Sequence, residues 1–257
     1  MKPNQLYLST IDAEAGSLAS AWGLGLEIAD FCTAGNLDNA FPETDEKVRR
    51  ALKGIPSRLL HAPFNELFPC AIDPRARELA RYRYRQAIDL ARRYGATKVV
   101  VHGGFNPGIY FPCWYTEQSV LFWREFLRED PGVELCLENV MEPEPELLEE
   151  ILRQVDHPRL RLCLDVGHCN VYSKIPVARW LEALAPWISH FHIHNNTGEF
   201  DTHNSLDTGA IPMEPLLREA EGRCPGATFT VEVPEAESSL VWLRERSILE
   251  ECIWKPN

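Results

Sequence analysis

Short apolar, β-branched runs alternate along the chain with longer amphipathic ones, and turn residues separate the two kinds. The predicted strands are Leu6 to Ser9, Gly25 to Ala29, Arg58 to His61, Lys98 to His102, Val133 to Glu138, Leu160 to Asp165, Ile188 to His194 and Thr228 to Glu232. Between them, Arg75 to Tyr94 keeps Ala80, Tyr84, Ala87, Ile88 and Ala91 on one helix face, and Gly95 supplies a stop. Pro145 to Val155 and Pro176 to Ala185 each begin with proline, which suits a first helical turn. Eight strands in strict alternation with helical segments predict an α/β fold, a single-domain (β/α)8 TIM barrel over residues 1–257.

Strand parity sharpens this picture. Side chains alternate faces with period two, so Leu135 and Leu137 point opposite to Glu138, Leu162 and Leu164 opposite to Asp165, and Phe229 and Val231 opposite to Glu232. The leucines and their equivalents are expected against the helices and the acids inside the barrel. On the seventh strand Phe191 and Ile193 face outward, leaving His190, His192 and His194 on the inner face, and periodicity does not choose among them. Six strands close on a residue able to bind a metal: His61, His102, Glu138, Asp165, His192 and Glu232. Parallel strands present their carboxyl ends on one face of such a barrel, so these side chains converge there. Nitrogen and carboxylate donors together imply a divalent ion.

Composition bounds the rest. A chain of 257 residues with 45% hydrophobic content can fill one barrel core, and no apolar run reaches the length of a membrane span. The polar start Met1-Lys2-Pro3-Asn4 has no signal-peptide character, so the cytoplasm is the expected compartment. Eight cysteines are scattered without a C-x-x-C pair and are read as reduced thiols. The formal charge of −12 matters less than its placement. Pro3 to Glu46, Gly103 to Trp123 and Asn195 to Leu217 contain no Lys or Arg, so the loops around the barrel mouth lack the cations a nucleic-acid phosphate backbone needs. Tyr110, Phe111, Trp114 and Tyr115 follow His102 and suit either the apolar face of a sugar ring or packing over the mouth.

Other features read as structural. His157 sits in a helix-to-strand loop and His190 lies lower on its strand than His192, both consistent with hydrogen-bonded histidines; His194 is open. The stripe Arg77, Arg81 and Arg85 falls on an outer helix as a solvated face. The cluster Glu142, Glu144, Glu146, Glu149 and Glu150 opens a helix, where negative charge favours the dipole. Asp201 and His203 are equally compatible with a loop turn and with a metal site.

Seven phrases carry the chemistry: Leu60-His61-Ala62-Pro63, Val101-His102-Gly103-Gly104, Leu137-Glu138-Asn139, Leu164-Asp165-Val166-Gly167-His168, Phe191-His192-Ile193-His194-Asn195, Asp201-Thr202-His203 and Val231-Glu232-Val233. Together, and in this order, they resemble the xylose isomerase-like superfamily, which includes sugar isomerases, epimerases and endonuclease IV. The resemblance to the epimerase branch implies that Glu138, Asp165, His192 and Glu232 hold one divalent ion, manganese, magnesium or cobalt, with Glu138 and Glu232 as the catalytic proton carriers. His61, His102, His168 and His203 would then bind substrate. The resemblance to endonuclease IV implies instead a multinuclear zinc site: His61 and His102 join Glu138, the four shared residues hold a second ion, and His168, Asp201 and His203 a third.

These implications give a principal expectation, a metal-dependent isomerase or epimerase of a small carbohydrate or related polyol, with no membrane partner. A zinc phosphodiesterase of the endonuclease IV type is the alternative, supported by the nine residues and opposed by a rim poor in Lys and Arg, with Lys174 the main exception. A sugar-binding barrel without turnover is the third class. One departure bears on the ketose 3-epimerases in particular: that group carries an arginine shortly after the strand-seven histidine, and Asn195 to Leu217 has none.

Overall fold

Alternation of inward and outward side chains on each strand lets eight short parallel strands close into a barrel with one small interior and one large outer core. In the computed structural model, which describes residues 1–250, the strands do so in the order β1 to β8, with β8 hydrogen-bonded back to β1. In chain order the elements are β1 (Leu6–Ser9), α1 (Ala15–Trp22), β2 (Gly25–Ile28), α2 (Ala34–Asp38), α3 (Phe41–Ala51), β3 (Arg58–His61), α4 (Pro74–Tyr94), β4 (Lys98–His102) and α5 (Pro112–Phe126). They continue with β5 (Glu134–Glu138), α6 (Glu146–Val155), β6 (Leu160–Asp165), α7 (Val166–Tyr172), α8 (Val177–Leu184), β7 (Ile188–Ile193), α9 (Met213–Arg223), β8 (Thr228–Val231) and α10 (Glu237–Glu245). Every expected strand is present, with ends shifted by at most one residue.

Register explains why the strand ends meet. His102 lies beside Glu138, Glu138 beside Cys163, and Asp165 beside His192 across successive parallel pairs. A slip by one residue would turn each of these side chains to the helices. The buried apolar residues divide as parity requires. Val99, Val101, Leu135, Leu137, Leu162 and Leu164 belong to the large core under the helices, while Val100, Cys136 and Cys163 form a separate interior cluster.

Helix ends follow local chemistry. Asp73 caps α4 by accepting from the Arg75 backbone N–H, and Gly95 ends it at φ 70°, a left-handed conformation that glycine adopts without a Cβ penalty. The stripe Arg77, Arg81 and Arg85 is not wholly solvated: Arg81 and Arg85 pair with Glu125 and Glu129 beside α5, and Arg77 donates to the Ala71 carbonyl. Among the described residues no helix is long and apolar enough to cross a membrane.

An aromatic cluster fastens one functional strand to the helical layer. Tyr84 of α4 stacks on Trp123 of α5 with centroids 5.7 Å apart, and Phe126 meets Trp123 edge-on. The Tyr84 hydroxyl donates to the His102 carbonyl at 2.8 Å, so this packing holds the end of β4. Trp123→Ala is expected to cost about 3–5 kcal/mol, as a large buried aromatic replaced by a cavity. Equilibrium urea unfolding measures it, and a loss below about 1 kcal/mol would contradict the role given to this cluster.

Candidate active site

Three carboxylates arrive at the carboxyl ends of β5, β6 and β8, and one imidazole faces them. His192 Nδ1 lies 3.2 Å from Glu138 Oε1, 3.1 Å from Glu232 Oε2 and 3.8 Å from Asp165 Oδ2. All four residues are buried. On the neighbouring strands, His61 Nε2 approaches Glu138 Oε2 at 3.2 Å and His102 Nε2 approaches the same oxygen at 3.1 Å. A third group lies toward the mouth, where His168 Nε2 and His203 Nε2 meet Asp201 Oδ2 at 3.2 and 3.1 Å. The structure thus brings together all nine residues singled out in the sequence.

Local sequence explains how each side chain is aimed. Asn139 exchanges two hydrogen bonds with the Asp165 backbone, accepting from its N–H and donating to its C=O, which locks β5 to β6 just above Glu138. Asp165 Oδ1 accepts from the His168 backbone N–H and caps α7. Gly167 admits the His194 ring: a Cβ there would lie 1.9 Å from its Cε1. His194, open in the sequence, is a buried neighbour of Asp165, its Nε2 3.2 Å from both carboxylate oxygens. The loop carrying Asp201 and His203 is closed by an Asn195–Asn204 bridge, and the Asn195 side chain donates to the Leu206 and Ile211 carbonyls. His203 itself has φ 48°, a left-handed backbone that is costly for a side chain larger than glycine.

Three histidines share one device. His61 Nδ1 donates to the Ala62 carbonyl, His168 Nδ1 to the Asn139 carbonyl and His203 Nδ1 to the Glu232 carbonyl, at 2.8, 2.9 and 2.8 Å. In the neutral ring this leaves each Nε2 lone pair pointed at a carboxylate, an arrangement that is repulsive unless something positive lies between. Without a metal, protons supply that charge. Burial opposes charging His168, but Asp165 and Asp201 outweigh it and hold its pKa at about 10; Asp201 and Glu232 likewise hold His203 at about 9 against burial. Burial pushes Glu138 upward, and the facing His192 and His102 pull it well below the ordinary carboxylate range.

The donor set fits a divalent cation. Glu138, Asp165, Glu232 and Asp201 converge, and among the described residues no Lys or Arg lines the cavity and Asp201 Oδ1 and His194 Nδ1 are buried without a hydrogen-bond partner. Several groups of three donor atoms lie within 4.8 Å of one another, among them His61, His102 and Glu138; His61, His192 and Glu232; and His168, Asp201 and His203. Seven of the nine residues, His61, His102, Glu138, His168, Asp201, His203 and Glu232, line a cavity of about 710 Å³, while Asp165 and His192 are buried behind that lining.

One alternative left open by the sequence is decided here, and one expectation is corrected. The aromatic residues of the cavity are Phe64, Phe68, Phe105 and Tyr172. Of the four that follow His102, Phe111 is exposed, Tyr110 and Tyr115 are buried against Phe68 and Phe105, which is the packing alternative, and Trp114 donates to the Cys70 carbonyl. Phe64 stacks on His102 with centroids 4.5 Å apart. Glu142 does not open a helix, since α6 begins at Glu146. It turns inward, accepts from the Tyr115 hydroxyl at 2.6 Å and from the Val140 N–H at 2.7 Å, and burial pushes its pKa up. Glu27, buried below His192, is absent from the sequence expectations; parity on Leu26-Glu27-Ile28 carries its signal.

A family model described as a xylose isomerase-like TIM barrel matches residues 18–252. The protein MJ1311 of Methanocaldococcus jannaschii is 30% identical over 174 residues, which are 62% of this chain and 58% of that protein, so the chain spans less than two thirds of this relative. Among solved structures, a D-tagatose 3-epimerase-like protein superposes with a TM-score of 0.79 over 95% of this chain and 97% of that one, at 23% identity. The TTHB071 protein of Thermus thermophilus, soaked with ZnCl2, superposes with a TM-score of 0.77 over 95% of this chain and 98% of that one, at 29% identity.

Because the native fold pre-assembles these donors and the unfolded chain does not, an ion bound here stabilises the fold. Chelator-stripped protein is expected to gain about 2.7 kcal/mol at free zinc near 100 times Kd, read as a rise in the thermal midpoint. An unchanged midpoint across that titration would count against the donor set as a metal centre.

Proposed function

Because the chain belongs to the xylose isomerase-like TIM-barrel family, we propose that it is a divalent-metal-dependent isomerase or epimerase acting on a small sugar or related polyol. The observation that carries this reading is the cavity itself, with carboxylates and imidazoles on its floor, aromatic rings on its wall and no Lys or Arg among its lining residues. Such a wall offers hydrogen-bond partners to hydroxyls and an apolar face to a sugar ring, and among the described residues no Lys or Arg to a phosphate. The epimerase named among the structural neighbours and the zinc soak of the Thermus protein are in keeping with it.

Glu138, Asp165, His192 and Glu232 would hold the ion. Once bound, a divalent ion polarises a carbonyl and stabilises negative charge on the substrate oxygens. The proton transfers belong to the two glutamates. Glu138 Oε1 and Glu232 Oε2 both reach the same nitrogen of His192, so their carboxylates flank one point from different strands. One carboxylate takes the proton from the carbon beside the carbonyl as the C–H pair forms a C=C bond and the carbonyl π pair moves onto oxygen to give an enediolate, and the other glutamate, carrying a proton in that state of the cycle, delivers it to carbon, on the opposite face in an epimerisation. His61, His102, His168 and His203 surround that point as partners for substrate hydroxyls.

A second reading has one observation in its favour. His168, Asp201 and His203 form a donor group of their own, and together with the other six residues they suit a multinuclear zinc phosphodiesterase of the endonuclease IV type. The cavity wall without Lys or Arg opposes it. Glu138→Gln and Glu232→Gln each keep size and one oxygen donor but remove the base, so sugar turnover should fall by roughly 100-fold or more. Turnover in deuterated water should place label on the carbon beside the carbonyl, detected by mass spectrometry. Unlabelled product would argue for a hydride shift, and cleavage of an abasic-site duplex at an enzyme-like rate, lost in the same variants, would favour the phosphodiesterase.

A further inference from the structure

One level below the cavity, the barrel interior holds a polar network centred on Glu27 of β2, a residue wholly shielded from solvent. Its Oε1 accepts from His192 Nε2 at 2.9 Å, and its Oε2 accepts from His190 Nε2 at 3.0 Å and from the Thr230 hydroxyl at 2.6 Å. An ionised carboxylate only accepts, so all three partners must donate. His190, donating through Nε2, then accepts at Nδ1 from the Thr228 hydroxyl at 2.7 Å, and Thr228 in turn accepts from Lys98 Nζ at 3.1 Å. The Thr228 hydroxyl also lies 3.4 Å from the Ser189 carbonyl, and its 2.7 Å contact to His190 Nδ1 is the shorter of the two; on the cavity side the network ends at His192.

His192 is a special case among the histidines of the site. His61, His168 and His203 each spend one ring nitrogen on a backbone carbonyl near a strand end or loop. His192 sits inside β7, where neighbouring carbonyls are committed to the sheet ladder, and the acceptor for its ring comes from a side chain three strands away. With Nε2–H given to Glu27, its Nδ1 lone pair is left on the side of Glu138, Asp165 and Glu232.

Resting on the metal-dependent reading of the site, we propose that Glu27 is its positioning residue: by accepting from His192 Nε2 it selects that ring's tautomer and holds Nδ1 toward the three carboxylates as a ligand. A carboxylate in this place also makes the imidazole a stronger donor to a cation, and losing such a partner lowers metal affinity by roughly 10–100-fold in comparable sites. Glu27 touches neither cavity nor substrate, so its effect passes through His192.

The test compares full-length Glu27→Gln with Glu142→Gln, which removes another buried carboxylate that makes no contact with His192. Zinc affinity is read by competition with a chromophoric chelator, and the His192 ring by long-range nitrogen–proton NMR of the zinc-loaded protein, assigned with His192→Gln. Glu27→Gln should weaken zinc binding by roughly 10–100-fold and lose or broaden the Nε2–H signal, while Glu142→Gln keeps both near the unaltered protein. Zinc affinity within about twofold of the unaltered protein in Glu27→Gln, with the ring signal unchanged, would overturn the proposal, as would equal losses in both variants. Should Glu27→Gln not fold, the unaltered zinc-loaded protein decides: a proton on Nε2 supports the role and a proton on Nδ1 refutes it. If the unaltered protein binds neither zinc nor manganese, the metal reading itself fails, an outcome separate from a normal affinity in the variant.

Discussion

Charge without a counterion governs this barrel. Glu138, Asp165 and Glu232 are buried at one end with Asp201 above them and Glu27 beneath, and among the described residues no Lys or Arg lines the cavity over them. Two like charges about 4 Å apart at an effective dielectric of about 20 repel by about 4 kcal/mol, so several together are untenable unless positive charge is shared among them. The surrounding histidines answer this with protons when no ion is present, and their ring orientations answer it with lone pairs when one is. The strand register, the cap of α7 by Asp165 and the glycine beside His194 all serve that convergence.

The same constraint sets what the cavity accepts. The acids and imidazoles of the donor set are directed at one another, and the remaining wall is made largely of aromatic and aliphatic side chains, with Asn65, Asn106 and Thr202 among them. Recognition by such a wall depends on shape and hydroxyl pattern more than on charge. That is a chemistry suited to discriminating stereoisomers, which differ in where hydroxyls point and in little else.

Much of this is legible in the chain. Strand parity places Glu138, Asp165 and Glu232 inside because each follows a strictly alternating run, and parallel pairing does the rest. Glu27 is harder to find from strand ends because it lies within β2 between Leu26 and Ile28, where only parity flags an inward acid. Glu142 misleads because an acidic run before a helix has a sufficient local explanation in the helix dipole. Only the tertiary approach of Tyr115 reveals it as buried. Asp201 and His203 are undecidable in sequence for a similar reason: the bridge between Asn195 and Asn204 that folds their loop over the mouth is a long-range event with no local period.

The small interior cluster of Val100, Cys136 and Cys163 seals the barrel below the site with side chains that solvent does not reach. The site is therefore a blind-ended well. An occupant seated in the mouth would therefore cover the donors that lie beneath it.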